Sequence, residues 1–325
     1  MKVMHWNFFN DTDSLSGIKR YESELYNRMV DKVDLSRFQR TKRNYLFDNF
    51  QSNNCDIVHA TFQELAPLLF KKLDKFILTV HDIIPKIYYS KSMKMKHMWY
   101  LTELSLHLIN TIIVDSSYTK RDLITRLNID SDKIHIIPLG VSSQYHVLNK
   151  CLSKDLFKLS PDKQHILIVS SNLPWKNIHT IEKITDEMPQ YTFVKIGYGT
   201  TLDKKNVINL GYVPEDHMPH LYNACDILLH PSAYEGFGLP VLEAMSCGCP
   251  VICSNSTALP ELVGNAGILI DTFDVAGYCD AIELLLSNSH SHNYKMQKGL
   301  EQALNFTWEQ TVSKTFEVYE KCIDL

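Results

Sequence analysis

Short runs of four to six apolar, mostly branched residues recur along the chain, and most are followed by a stretch with helical spacing. The first series covers 2–6, 57–60, 76–81, 111–115 and 133–138. A second covers 165–170, 192–196, 207–211, 227–230, 250–253 and 267–271. Runs without polar alternation suit strands buried on both faces, which means parallel strands covered by helices. Helical spacing predicts helices over 18–33, 92–109, 117–127, 178–188, 218–224, 239–246, 275–288 and 308–322. Strand and helix in alternation predict an α/β protein with doubly wound parallel sheets. The alternation stops over 141–162, so two Rossmann-like domains are expected, with ligands beyond the carboxyl ends of their strands.

Length and composition agree. At about 150 residues per domain, 325 residues make two. The hydrophobic share is 45% and the charged share 22%, and 12 Gly with 12 Pro are too few for a fibrous or disordered chain. The net charge of −4 weighs against a protein that coats nucleic acid. No apolar run approaches the ~20 residues of a membrane span. The opening Met1-Lys2-Val3-Met4-His5-Trp6 lacks the apolar stretch of a signal peptide. The eight cysteines are scattered, with no pair of pairs at zinc spacing, and read as buried thiols of a reducing cytosol.

The densest segment is His230-Pro-Ser-Ala-Tyr-Glu235-Gly-Phe-Gly-Leu-Pro240-Val-Leu-Glu243-Ala-Met-Ser-Cys-Gly248. A strand runs into a loop with Gly236 and Gly238, where glycine lets the backbone approach a ligand or take positive φ. Pro240 suits the first turn of a helix, and Gly248 suits its end. The exposed helix N-terminus favours an anion such as a phosphate. Glu235 lies on the loop, and Glu243 is expected in or near the first turn. The spacing of the two glutamates carries nothing by itself, because Glu301/Glu309 and Glu309/Glu317 share it on a helical tail with no glycine loop.

In this context the sequence resembles the GT-B retaining glycosyltransferases, specifically glycosyltransferase family 4. Matching stretches run in order along nearly the whole chain: Thr79-Val80-His81-Asp82-Ile83-Ile84-Pro85, Val114-Asp115-Ser116-Ser117, Ile136-Ile137-Pro138-Leu139-Gly140, Pro174-Trp175-Lys176-Asn177, Asn209-Leu210-Gly211 and Phe306-Thr307-Trp308-Glu309. The resemblance implies two Rossmann-like domains facing a central cleft. Residues 1–147 would bind the acceptor, 148–307 the nucleotide-sugar donor, and the helix over 308–325 would pack back toward the first domain.

The resemblance also implies roles. Breaking an anomeric C–O bond puts negative charge on the departing diphosphate, which the site must stabilise while it orients the sugar. Lys176 matches the diphosphate-binding lysine. The family's arginine before it and basic residue at the loop's start are here Trp175 and Ser170. Glu235 matches the glutamate that bonds the donor sugar, and Glu243 the one that holds the ribose. The backbone N–H groups of Phe237, Gly238 and Leu239, with Gly236, would bind sugar or phosphate. His81 would contact the donor sugar, with Asp82 orienting its loop, and Gly17 would let its loop approach the diphosphate. Ser116 reads as a helix cap that also faces the acceptor.

Rival classes fare worse. Asp11-Thr12-Asp13 and Asp130-Ser131-Asp132 match the Asp-x-Asp of metal-dependent transferases, but about one or two such pairs arise by chance in a chain of this composition. No metal or cofactor is therefore expected beyond the nucleotide-diphosphate sugar. A dehydrogenase fingerprint fails, because Gly197-Tyr198-Gly199 and Gly236-Phe237-Gly238 lead to Leu202 and Val241 rather than to a third glycine. A non-catalytic sugar-nucleotide-binding protein and an epimerase on the same fold stay open as alternatives. UDP- and GDP-sugars both fit, with GDP-mannose the working choice. The acceptor expected is a glycan or a lipid-linked glycan. The basic and aromatic stretch over 86–96 suits contact with an anionic membrane at the cytoplasmic face, or else a solvated helix face. The oligomeric state is left open.

Overall fold

A computed structural model describes residues 1–7, 17–39, 55–71, 75–88, 93–199 and 201–324. The Asp11-Thr12-Asp13 match, and residues 89–92 of the basic stretch, lie outside them. The chain divides into two compact units, Met1–Gly140 with Trp308–Leu325, and Val141–Thr307. The division falls at 140/141 rather than 147/148, because the segment from Val141 already bonds within the second unit: Val141 N donates to Phe306 O at 3.1 Å.

The first unit holds β1 (Lys2–Asn7), α1 (Gly17–Met29), β2 (Asp34–Gln39), β3 (Ile57–Ala60), β4 (Phe76–Val80), α2 (Ile84–Tyr88), α3 (Met93–Leu108), β5 (Thr111–Val114), α4 (Ser117–Leu127) and β6 (Ile134–Ile136). The second holds α5 (Lys150–Leu156), β7 (His165–Val169), α6 (Ile178–Glu187), β8 (Thr192–Ile196), β9 (Val207–Gly211), α7 (Met218–Ala224), β10 (Ile227–His230), α8 (Leu239–Ser246), β11 (Val251–Ser254), α9 (Leu259–Val263), β12 (Ile268–Ile270), α10 (Val275–Ser287) and α11 (Ser289–Ala303). α12 (Trp308–Asp324) returns to the first unit, where it packs on α1 and β3.

Each unit is built on one six-stranded sheet with every pairing parallel, in the orders β2-β1-β3-β4-β5-β6 and β12-β11-β10-β7-β8-β9. The central strands are buried throughout: β3, β4, β5, β10 and β11 have no exposed residue. That is why their runs lack polar alternation. In the second unit Ile166, Ile168, Phe193, Ile227, Leu229 and Ile252 of the sheet pack with Ile181 and Ile184 of α6 and Ile282 and Leu285 of α10.

Several elements depart from the sequence expectation. β2 reads Asp-Leu-Ser-Arg-Phe-Gln and lies at the sheet edge, where polar residues suffice. α1 ends at Met29, four residues before the expected 33. α5 falls inside the expected linker, because its buried face carries Ser153 and Lys154, and the Lys154 ammonium bonds three backbone carbonyls. α11 buries only Gly299 and Ala303, so its contact with α8 rests on small residues that no apolar periodicity reveals. The Asp130-Ser131-Asp132 pair is a turn: the Asp130 carboxylate accepts from the Asp132 backbone N at 3.0 Å.

Candidate active site

The order of the second sheet reverses between β7 and β10, its topological switch point. Loops leaving neighbouring strands there diverge to opposite faces and open a crevice at the carboxyl edge. The loop after β7 ends in a short 3-10 turn, Pro174–Lys176, and the loop after β10 carries Glu235. The two side chains meet: Lys176 Nζ donates to Glu235 Oε1 at 2.6 Å. His230, the last residue of β10, bonds the same oxygen through Nε2 at 2.9 Å. Burial alone would raise the Glu235 pKa. The Lys176 charge, with hydrogen bonds from His230 and Lys176, outweighs it and holds the carboxyl well below the usual range. Glu235 is therefore an anion at any ordinary pH.

The loop that carries Glu235 is tied on both sides. From the β7 side, Trp175 O accepts from Ala233 N at 2.7 Å and Ser232 Oγ at 3.0 Å, and Asn177 Nδ2 donates to Pro231 O at 3.0 Å. From the β11 side, Ser254 Oγ donates to Ser232 O, Ser256 Oγ donates to Ala233 O at 2.8 Å, and Glu235 N donates to Thr257 Oγ1 at 2.9 Å. Thr257 sits at φ 54°, a region that costs a β-branched residue about 1–3 kcal/mol. Such ties hold the carboxylate in one place before any ligand arrives.

Gly238 caps α8 at φ 108°, and a Cβ there would stand 2.7 Å from Leu259 Cδ2, so only glycine fits. Gly236 is not among the positive-φ glycines, so the expected backbone freedom is used at one of the two positions. Phe237 and Leu239 flank the cap, both buried. Glu243 is the fifth residue of α8, just past its first turn. It is buried, and its Oε2 accepts from the Tyr222 hydroxyl of α7 at 2.8 Å.

In the first unit, His81 follows β4 and is buried. Its Nδ1 faces Asp115 Oδ2 at 2.6 Å and its Nε2 faces Thr61 O at 3.1 Å. Both partners are acceptors, so both nitrogens carry protons, and the ring's two donors are used within this unit. Asp82 Oδ1 accepts from Ile84 N at 2.9 Å and so caps α2. Ser116 Oγ accepts from Thr119 N at 3.1 Å as the N-cap of α4, with the Ser116 backbone extended at φ −147°. Thr119 Oγ1 in turn donates to His81 O at 3.2 Å. Gly17 opens α1.

Two family patterns match the chain: Glycosyltransferase Family 4 over residues 19–145 and Glycosyl transferases group 1 over 154–303. O-antigen chain mannosyltransferase B of Escherichia coli is 32% identical over 272 residues, 77% of this chain and 71% of that protein. The chain belongs to glycosyltransferase family 4. A second E. coli relative of this family 4 chain, serotype-specific mannosyltransferase WbdA, is 25% identical over 77% of the chain but only 34% of its own length. Among solved structures, sucrose-phosphate synthase from Thermosynechococcus elongatus superposes with a TM-score of 0.84 at 17% identity, covering 98% of both chains. Anabaena HepE, solved in complex with UDP-glucose, gives 0.79 at 14% identity, covering 99% of this chain and all of its own. The fold of the family 4 chain is GT-B.

Four residues that the sequence analysis gave no role are joined by the structure to candidate residues: His230, Thr257, Tyr222 and Asp115. His230 and Asp115 had a local signal, since each stands at the carboxyl end of a central strand, beside a residue already singled out. Tyr222 and Thr257 reach Glu243 and Glu235 from 21 and 22 positions away in the sequence, pairings that no local pattern marks.

Proposed function

We propose that this glycosyltransferase moves a mannosyl residue from a nucleotide-diphosphate sugar, GDP-mannose first among candidates, to a glycan or lipid-linked glycan with retention of anomeric configuration. The Lys176–Glu235 pair at the switch point carries the reading. In the transfer, the bond from the anomeric carbon to the diphosphate oxygen breaks and the electron pair leaves with the diphosphate. The Lys176 ammonium takes up that charge. The Glu235 anion binds hydroxyls of the sugar and steadies the positive ring. Glu243 binds the ribose, and N–H groups of Phe237, Gly238 and Leu239 bind phosphate or sugar. The acceptor hydroxyl forms the new bond on the face the diphosphate leaves, and its proton goes to the departing diphosphate. Positive charge then comes from the protein itself, so no metal or cofactor is required. Relatives named as mannosyltransferases support mannose. A fold neighbour solved with UDP-glucose keeps UDP-sugars in the comparison.

The first unit presents an outward apolar stripe on α3, so we place it against the anionic membrane that carries a lipid-linked acceptor. Among the described residues, no helix is long and apolar enough to cross a membrane.

The deciding experiment offers GDP-mannose and UDP-glucose with a mannan-type acceptor and follows transfer. Glu235→Gln should lower kcat by about 10²-fold or more, and NMR of the product should show the donor's anomeric configuration. Full rate in Glu235→Gln removes the site, and an inverted product removes the retaining reading.

A further inference from the structure

Two donors of different kinds converge on a single oxygen of Glu235. The Lys176 ammonium lies 2.6 Å from Oε1 and His230 Nε2 lies 2.9 Å from it. Oε2 accepts from none of the described residues. An ionised carboxylate only accepts, so His230 Nε2 carries its proton and donates. The two donors are also held differently. Lys176 ends a flexible stem, and its compact charge can be shared among several oxygens. The His230 ring is stiff, buried to 2% exposure, and fixed at the end of a strand whose four residues are all buried.

We propose that His230 is a positioning residue for Glu235. It clamps the carboxylate by Oε1, turns Oε2 toward the sugar, and keeps the clamp when the Lys176 ammonium serves the diphosphate. The inference rests on the reading of Glu235 as the sugar-binding anion. The division of labour follows from geometry. An ammonium shared with a leaving group holds the carboxylate less firmly, so a second donor that does not move keeps it in place. The ties on the Glu235 loop, from Thr257 to Glu235 N and from Trp175 O to Ala233 N and Ser232 Oγ, fix the main chain but leave the Glu235 side-chain torsions free. His230 supplies the remaining constraint.

The test compares His230→Met, which keeps the side-chain volume and removes the donor, with His230→Gln, which keeps an N–H donor at similar reach. Steady-state rates, thermal midpoints and affinity for GDP (or UDP, if that donor is used) are measured for each and for His230→Met combined with Glu235→Gln. Expected are a kcat loss of at least tenfold in His230→Met, GDP affinity within twofold of wild type, recovery of most of the rate in His230→Gln, and no further loss in the double variant. A His230→Met rate within twofold of wild type overturns the inference. So does a loss that multiplies with that of Glu235→Gln, or a parallel fall in GDP affinity, which marks a packing role. Should His230→Met fail to fold, His230→Gln decides: a tenfold loss in that folded variant, despite its donor, overturns the clamp, and a near-wild-type rate supports it. Glu235→Gln at full rate refutes the underlying site reading separately, whatever His230 does.

Discussion

A carboxylic acid and an imidazole are both buried at carboxyl edges of the sheets, and their neighbours decide which form each takes. Glu235 stays ionised because Lys176 and His230 outweigh its burial. At His81 burial works against the charged ring, but the Asp115 charge and hydrogen bond, with Asp82 and Thr61 O, outweigh it and raise the pKa. Two acceptors on two ring nitrogens say the same thing without any titration. A raised folded pKa contributes stability that is fully present below the unfolded value of about 6.5. It is lost as pH rises through the folded value. Asp115→Asn should therefore cost about 1–3 kcal/mol at pH 5.5, and its thermal midpoint should approach wild type in alkaline buffer. A midpoint gap independent of pH would sink this account. The sequence marks His81 by its strand-end position. It marks Asp115 the same way but not the contact between the two, because the 34-residue separation closes only when β4 and β5 pair.

α12 shows how much an element depends on what it meets. Its helical spacing is plain in the sequence, and it runs from Trp308 with Thr311, Val312, Thr315, Val318 and Tyr319 buried. The Tyr319 hydroxyl sits between His5 Nε2 of β1 at 2.9 Å and His59 Nδ1 of β3 at 2.6 Å. The chain continues from His59 Nε2 to Thr79 Oγ1 at 2.8 Å and on to the Tyr21 hydroxyl at 2.9 Å. Burial, with the Arg37 charge, pushes the His5 pKa down to about 3, and burial, with the His5 and His81 charges, lowers His59 well below its usual value. Both rings are thus neutral, each with one donor and one acceptor to satisfy. Tyr319→Phe leaves two buried ring nitrogens without their shared partner. A loss of about 1–3 kcal/mol is expected, read as a fall of several degrees in the unfolding midpoint. An unchanged midpoint would show the hydroxyl to be dispensable. Neither histidine is singled out by the sequence, and both acquire this role only when the chain's last helix returns to its first strand.

For the whole molecule, the net charge of −4 opposes contact with an anionic surface unless one face is locally basic and apolar. On α3, Tyr100, Leu101, Leu104 and Leu108 are 61%, 41%, 39% and 58% exposed, opposite a buried stripe of Trp99, Thr102 and Leu106. Lys94 and Lys96 stand in the first turns of the same helix. Vesicles rich in phosphatidylglycerol should co-sediment the protein more than phosphatidylcholine vesicles do. Salt should weaken the binding, and Leu104→Glu with Leu108→Glu should abolish it. Equal binding to both vesicle types would remove the membrane assignment.

Local pattern alone specifies the parallel α/β class, most of the central strands and the loop that carries Glu235, because unbroken apolar runs, glycine and proline act over a few residues. The tertiary structure decided the rest. It brought Lys176 and His230 to one carboxylate oxygen, Asp115 to His81 and Tyr319 to two histidines, and it made helices of polar stretches such as α11. Those contacts join residues up to 314 positions apart. Their energy exists only once the sheet order is set, and no local pattern encodes it.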